Sequence, residues 1–215
     1  DLIKHVIGDI RNLEEIQNIF DEHQPEIVIH LAAQAIVKTA YDDPVATFAT
    51  NTRGAVNLLE TVKNSQSVKS LVFITSDKCY ENVEWAWGYR EDDRLGGRDP
   101  YSASKAAAEI IFSSYYRSFL SAKPGFDAAT ARAGNVIGGG DWSADRIIPD
   151  CIRAIQNNEA IVLRSPQAIR PWQHVLEPLS GYLLLAQKLY EEPGKWNGAW
   201  NFGPSTREVM TVHQV

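Results

Sequence analysis

Polar and apolar positions along this chain alternate in two rhythms. Glu26-Ile27-Val28-Ile29-His30-Leu31 and Ser70-Leu71-Val72-Phe73-Ile74-Thr75-Ser76 are short β-rich runs bounded by polar residues, the pattern of strands buried in a sheet. Asp127-Ala128-Ala129-Thr130-Ala131-Arg132 is a weaker strand pattern, and Ala199-Trp200-Asn201-Phe202-Gly203 a fourth, short and aromatic. Between them the period lengthens. Leu13, Ile16, Ile19 and Phe20 recur at helical spacing behind Asn12, with Glu15 three positions after that cap. Asp43-Pro44 caps and opens a second helix, lined by Val45, Phe48, Val56, Leu59 and Val62. Further helices are predicted over about 100–120, 149–157 and 177–191, the last closing before Pro193 and Gly194. Strands that alternate with helices predict βαβ units, an α/β fold and a mostly parallel sheet. Residues 82–99, rich in Gly, Trp and Asp, predict a long loop, and loops of that length often carry function.

Composition narrows the partners. The 215 residues are 44% hydrophobic, enough for one sizeable core, and the net charge of −6 comes without any basic block. That argues against nucleic acid or an anionic membrane surface as the partner. The longest strongly apolar stretch, around Tyr182-Leu183-Leu184-Leu185-Ala186, is far short of a membrane span. Cys79 and Cys151 show neither metal spacing nor a disulfide framework, so no metal is expected and a reducing cytoplasm is the expected setting. The chain opens without a Met and in mid-pattern, at Leu2-Ile3-Lys4-His5-Val6; it reads as an internal fragment of a longer protein.

The candidate chemistry centres on Tyr101-Ser102-Ala103-Ser104-Lys105. On a helix Tyr101 and Lys105 lie one turn apart on one face. A nearby ammonium lowers a phenol pKa from its usual value of about 10, and such a Tyr can take a proton from a sugar hydroxyl. The plainer alternative is an amphipathic helix with an exposed Lys. Upstream, a strand ends at Ser76, and His30-Leu31-Ala32-Ala33 follows an earlier strand, with Asn51-Thr52-Arg53-Gly54-Ala55-Val56-Asn57-Leu58-Leu59-Glu60 on the helix between.

Together these motifs resemble the extended short-chain dehydrogenase/reductase (NAD-dependent epimerase/dehydratase) family, over essentially the whole chain. The resemblance implies a Rossmann-like doubly wound parallel sheet over 1–134, part of a smaller substrate-binding region over 135–169, and a return to the first domain over 170–215. It implies NAD as cofactor and Ser76, Tyr101 and Lys105 as catalytic triad, with Lys105 also bonding the nicotinamide ribose. Asp9 and Ile10, in Gly8-Asp9-Ile10-Arg11, would meet the adenine, although Asp9 also reads as a turn or cap residue. The turn Leu31-Ala32-Ala33 would pass its backbone close to the dinucleotide. The glycine-rich phosphate loop of the family is not in this sequence, and Gly138-Gly139-Gly140 does not replace it, since it opens no helix in a βαβ unit.

Within the family, Ser76-Asp77-Lys78-Cys79-Tyr80, Glu84-Trp85, Trp87-Gly88-Tyr89-Arg90-Glu91, the run Arg132 to Trp142 and Arg170-Pro171-Trp172-Gln173-His174-Val175 resemble most the branch that dehydrates CDP-glucose. Other dehydratases carry Asp-Glu at the strand end, as acid and base. Here Asp77 fits the acid that releases the 6-hydroxyl, and Lys78 stands where the base is expected. A neutral Lys78 can remove the C5 proton. A charged one can stabilise the resulting enolate. The plainer alternative turns it to solvent or pairs it with Glu81 or Glu84. Asn135 and Arg170 match the family's pyrophosphate-holding pair, and Asp141 and Arg146 are placed in the sugar-nucleotide pocket. Trp85 and Trp87 are expected to close over substrate, and Trp196 and Trp200 to lie in the core. A homodimer through the helices over 44–63 and 101–120 is a further implication of the resemblance. The alternatives are a nucleotide-sugar 4-epimerase, which needs no Asp77 acid, and a non-catalytic cofactor-sensing protein of the same fold.

Overall fold

The structure, a computed structural model, describes residues 2–205 and 210–215. Its centre is a four-stranded, wholly parallel sheet in the order β1-β2-β3-β7, formed by β1 (Ile27–His30), β2 (Ser70–Ile74), β3 (Asp127–Ala133) and β7 (Gly198–Phe202). The register runs Val72↔Ala129 and Ala131↔Trp200 across the middle of the sheet. All four predicted strands are present, within a few residues of their expected ends.

The sheet is covered on both faces, which explains why β2 reads as an unbroken apolar run. Leu71 and Phe73 point to one side, where they pack with Ile16 and Phe20 of α1 (Leu13–His23), Leu58, Leu59 and Val62 of α4 (Gly54–Asn64) and Phe112 of α5 (Pro100–Tyr115). Val72 points to the other side, against Tyr182, Leu185, Ala186 and Leu189 of α7 (Leu176–Glu191). Each such large side chain contributes about 1.5–3 kcal/mol when fully buried. Trp196 and Trp200 pack half-buried against this second cluster, beside the core as expected.

Several helices differ from their sequence pattern, each for a local reason. The predicted helix from Pro44 is three pieces: α3 (Pro44–Phe48), a wide π-helical turn over Ala49–Arg53, and α4. Thr47 and Thr52 donate their hydroxyls back to the carbonyls of Asp43 and Phe48 (3.0 and 2.5 Å), and such back-bonding bends helices. The turn ends at Gly54, where a Cβ would stand 2.7 Å from Ile10 Cγ2. The helix over 100–120 likewise widens to a π turn at Tyr116–Leu120. A short α2 (Val37–Asp42), too brief for periodicity to reveal, follows β1. Helix α6 spans Ile147–Gln156, starting two residues before Pro149.

Outside the central sheet the described strands are only two residues long. β4 (Val136–Ile137) pairs in parallel with β6 (Gln173–His174), and β5 (Ile169–Arg170) pairs antiparallel with β8 (Met210–Thr211). Among the described residues, no helix is long and apolar enough to cross a membrane.

Candidate active site at the strand ends

Because the four strands are parallel, their carboxyl ends share one edge, where open α/β sheets place ligands. There β2 gives way to Thr75 and Ser76, and Ser76 caps a single 3-10 turn, Asp77–Cys79. The Ser76 hydroxyl accepts from the Lys78 backbone N–H at 3.2 Å and donates to Asp77 Oδ1 at 3.0 Å. This tight turn orders the triplet: serine and aspartate are bonded to each other, and Lys78 projects half-buried, with its ammonium in no hydrogen bond or ion pair among the described residues. The alternative pairing of Lys78 with Glu81 or Glu84 is therefore not formed.

Helix α5 delivers the second half of the site. Asp99 caps it, accepting from Ser102 N (3.0 Å) and from the Ser102 hydroxyl (2.6 Å), and Pro100 takes the first position. Tyr101 follows at once, buried. The sharp start is possible because Gly97 packs on this first turn, where a Cβ would stand 2.5 Å from the Ala103 nitrogen. Burial pushes the Tyr101 phenol above its usual pKa, while the Ser76 hydroxyl pulls it down by hydrogen bonding; Asp77 raises it and the Arg146 charge lowers it. Ser76, Asp77, Tyr101 and Arg146 are thus brought to one place. The lowering by Lys105 expected from the sequence is not among these effects, and burial leads them.

Lys105 lies one turn further along, buried, and makes no hydrogen bond or ion pair among the described residues. Burial lowers its pKa to about 8, with Glu109 pulling upward, so the ammonium is still mostly charged at neutral pH. A buried, unpartnered ammonium is costly; it calls for acceptors from outside the chain. His30, at the end of β1, feels this charge and is buried against Phe73 at 4.6 Å; burial first, then Lys105, lowers its pKa to about 4. The turn after His30 leaves Leu31 and Ala32 exposed and Ala33 half-buried. It is fixed by Asn51 on the π turn: Asn51 accepts from Gln34 N (2.8 Å) and donates to Gln34 O (3.0 Å) and the Ser104 hydroxyl (2.8 Å). Asn51 thus bolts the β1 turn to the helix of Tyr101 and Lys105. Its place in the quoted motif hinted at a role, but the pairing needed coordinates.

The remaining candidates stand apart. Asp9 is a turn residue bound to Arg11 through backbone (2.9 Å) and guanidinium (2.5 Å), and the Arg11 bonds lower its pKa to about 2. A depression of about 510 Å³ lies beside it, lined by Asp9, Arg11, Asn12, Leu13, Glu14 and Arg53, and no strand-end residue borders it. Ile10 packs against the α1/α4 side of the core. Asn135 is half-buried, and its carbonyl accepts from Gln173 N at 3.0 Å. Arg170 donates through Nη1 to the neighbouring carbonyl of Ile169 (2.8 Å), with the rest of its fork unbonded among the described residues. Arg146, whose charge reaches Tyr101, has its Nε 3.6 Å from an Asp141 carboxylate oxygen, an ion pair without a hydrogen bond among the described residues. The thiol of Cys79 is pushed up to about 12 by burial.

A parallel, doubly covered sheet with a Ser, a buried Tyr and a buried Lys at its carboxyl edge defines a Rossmann-like class of protein. The comparisons give the family. The pattern of the NAD dependent epimerase/dehydratase family matches residues 2–203, and the chain belongs to that family. It is 52% identical over 219 aligned positions to CDP-glucose 4,6-dehydratase of Salmonella typhimurium, matching 100% of this chain and 61% of that protein. It is 28% identical to dTDP-D-glucose 4,6-dehydratase of Dictyostelium discoideum, over 91% of this chain and 45% of the relative. The chain therefore spans less than two thirds of these relatives' length. Among solved structures, UDP-glucose 4-epimerase of Thermus thermophilus in complex with NAD superposes with a TM-score of 0.80 at 25% identity, covering 96% of this chain and 65% of that one. dTDP-glucose 4,6-dehydratase of Bacillus anthracis, with NAD, shares the fold at a TM-score of 0.80 and 23% identity, over 97% and 60%.

Proposed function

We propose that this chain is the catalytic part of an NAD-dependent CDP-glucose 4,6-dehydratase, forming CDP-4-keto-6-deoxyglucose in the cytoplasm. The observation that carries the reading is the capped turn Ser76-Asp77-Lys78, held beside Tyr101; the similarity to the Salmonella enzyme supports the choice of sugar nucleotide. The chain's own groups fit the cofactor. The unpartnered Lys105 ammonium suits the hydroxyls of a ribose, and the open backbone of Leu31, Ala32 and Ala33 suits a dinucleotide laid across the strand ends. Asp9 and Ile10 are assigned to its adenine end. When bound, NAD would supply the hydride exchange, accepting hydride from C4 and returning it to C6 after water is lost, with a proton restored at C5.

The chain's residues move the protons. Tyr101 takes the O4 proton as C4 is oxidised, and Ser76, freed from Asp77 by a rotation of its hydroxyl, bonds the same oxygen. The C4 ketone acidifies C5–H. Loss of that proton and of the 6-hydroxyl removes one water, with Asp77 as acid at the departing oxygen and Lys78 beside C5 as base or as fixed cation at the enolate. Asn135 and Arg170 bind the pyrophosphate, and Asp141 and Arg146 line the sugar-nucleotide pocket; all but Arg170 lie in the substrate-side region over 135–169. A homodimer joins through the helices over 44–63 and 101–120, whose exposed apolar residues include Val45, Ile110 and Phe119.

The test is incubation of the full-length protein with CDP-glucose and NAD, followed by assay of the 4-keto-6-deoxy sugar nucleotide. CDP-galactose as product replaces dehydration with epimerisation. Lys78→Gln and Lys78→Ala should slow solvent-deuterium exchange at C5; wild-type exchange in both removes Lys78 from the mechanism.

A further inference from the structure

The loop between Ser76 and α5 is closed at its root and fastened along its length. Tyr80 bridges Leu95, Glu81 N bonds Arg94 O (2.9 Å) and Gly96 N bonds Cys79 O (2.9 Å), so 82–93 is a pinched excursion. Its rings form a stack: Tyr89 on Tyr80 at 5.1 Å and Trp85 on Tyr89 at 5.4 Å. Two residues of the sheet grip this stack from beneath. Arg132 Nη1 donates to the Tyr80 hydroxyl (2.7 Å) and to Glu91 O (2.9 Å). Asn201 accepts from the Tyr80 hydroxyl (2.7 Å), donates through Nδ2 to Tyr89 O (2.9 Å) and through its backbone to Glu91 Oε1 (2.9 Å).

Arg132 is itself fixed from the catalytic helix. Glu109, one turn past Lys105, holds it by two bonds of 2.9 and 2.7 Å, and both side chains are only 4% exposed. Glu109 is steadied in turn by the hydroxyls of Thr75 and Thr130. A buried ion pair is a poor way to gain stability, since an apolar pair of the same volume serves as well; its best-attested use is to fix one arrangement among several. Here both bonds made by Nη1, the nitrogen not held by Glu109, go to loop residues.

We infer that Arg132 is a positioning residue: anchored by Glu109 on the helix of Tyr101 and Lys105, it sets where the Trp85 loop stands relative to them. The loop's root begins just after Asp77 and Lys78, so a shift of the loop displaces the groups assigned to water loss. Only this last step rests on the proposed dehydratase reading.

The experiment labels the full chain with 5-fluorotryptophan, the six tryptophans being read by fluorine NMR and Trp85 assigned through Trp85→Phe. The variant is Arg132→Met with Glu109→Gln, which removes both charges together. The Trp85 resonance is expected to shift and broaden, while those of Trp196 and Trp200, on the α7 side, keep their positions; Arg132→Lys restores part of the shift. Turnover of CDP-glucose should fall about a hundredfold, the scale of an ångström of misplacement, with a smaller change in KM. An unmoved Trp85 resonance in the folded double variant overturns the inference, whatever turnover does. If that variant does not fold, Tyr80→Phe decides: it keeps the ring and cuts the hydroxyl link, and an unmoved Trp85 there overturns the inference equally. A wild-type protein inactive on CDP-glucose counts against the proposed function and leaves the resonance result standing.

Discussion

Tyr101 is flanked by two regions built on opposite plans. On the sheet side, Asn51, Ser104, Glu109 and Arg132 are all 4% exposed or less, and each is hydrogen-bonded within the chain. On the other side, 134–175 is held by two-residue strands and exposed ion pairs such as Lys38–Asp145 (3.3 Å) and Arg164–Asp145 (3.2 Å). That side also keeps a buried donor without a hydrogen-bond partner among the described residues, Trp172 Nε1. The first region fixes its geometry before any ligand arrives. The second is held more loosely and, like Lys105 and Trp196 Nε1 in the first, leaves a donor unspent, at a cost of about 1–3 kcal/mol that a ligand's acceptors can offset.

The largest expected effect comes from breaking the first region's ion pair. Arg132→Met leaves Glu109 buried and unpaired and should cost about 3–5 kcal/mol in urea unfolding. The matching change on the other side, Arg164→Met, removes a guanidinium that is 72% exposed and should stay within about 0.5 kcal/mol. Equal losses from the two variants would erase the contrast.

The same contrast marks what the sequence could reveal. Tyr101, Lys105 and Ser76 were legible because helical spacing and a strand end are local patterns. The four sheet strands were legible for the same reason. Arg132, Glu109 and Asn201 come from β3, α5 and β7, and no local pattern announces that their side chains meet. Glu109, one turn beyond Lys105, was the one available hint. The π turns at Ala49–Arg53 and Tyr116–Leu120 escaped because a single widened turn barely disturbs apolar spacing. The strands β4, β5, β6 and β8, two residues each, are too short to carry a period at all. The Asp9 carboxylate could be read as turn or ligand, and only its bonds to Arg11 show the turn.

His30 offers a second, smaller break in the sheet-side region. It is buried and neutral, with its pKa lowered from 6.5 to about 4 by burial and then by the Lys105 charge. A histidine depressed in the folded state contributes its full share above pH 6.5, the unfolded value. That share is lost as pH falls from 6.5 toward 4, and the loss levels off below 4. At about 1.4 kcal/mol per pH unit, it reaches about 3 kcal/mol. Unfolding midpoints measured between pH 7 and 4.5 should fall more steeply for the wild type than for His30→Asn. Parallel curves would mean that His30 is already charged in the fold, or that the unfolded chain shields it equally.

The smallest effect separates stability from binding at the starts of two helices. Helix α5 opens on the Asp99 cap, whereas α6 opens on Arg146 with no side-chain cap bond. Asp99→Ala should therefore cost about 1 kcal/mol of stability, and it should also loosen Tyr101, which lies in the turn the cap holds. Arg146→Ala removes no cap, and its ion pair with Asp141 is half-exposed, so unfolding should change by no more than about 0.5 kcal/mol. On its proposed role toward the sugar nucleotide, losing a charged hydrogen bond of about 1.5 kcal/mol or more should raise KM about tenfold. If Arg146→Ala instead lowers stability and leaves KM unchanged, the guanidinium serves the fold, and the second region is no more ligand-dependent than the first.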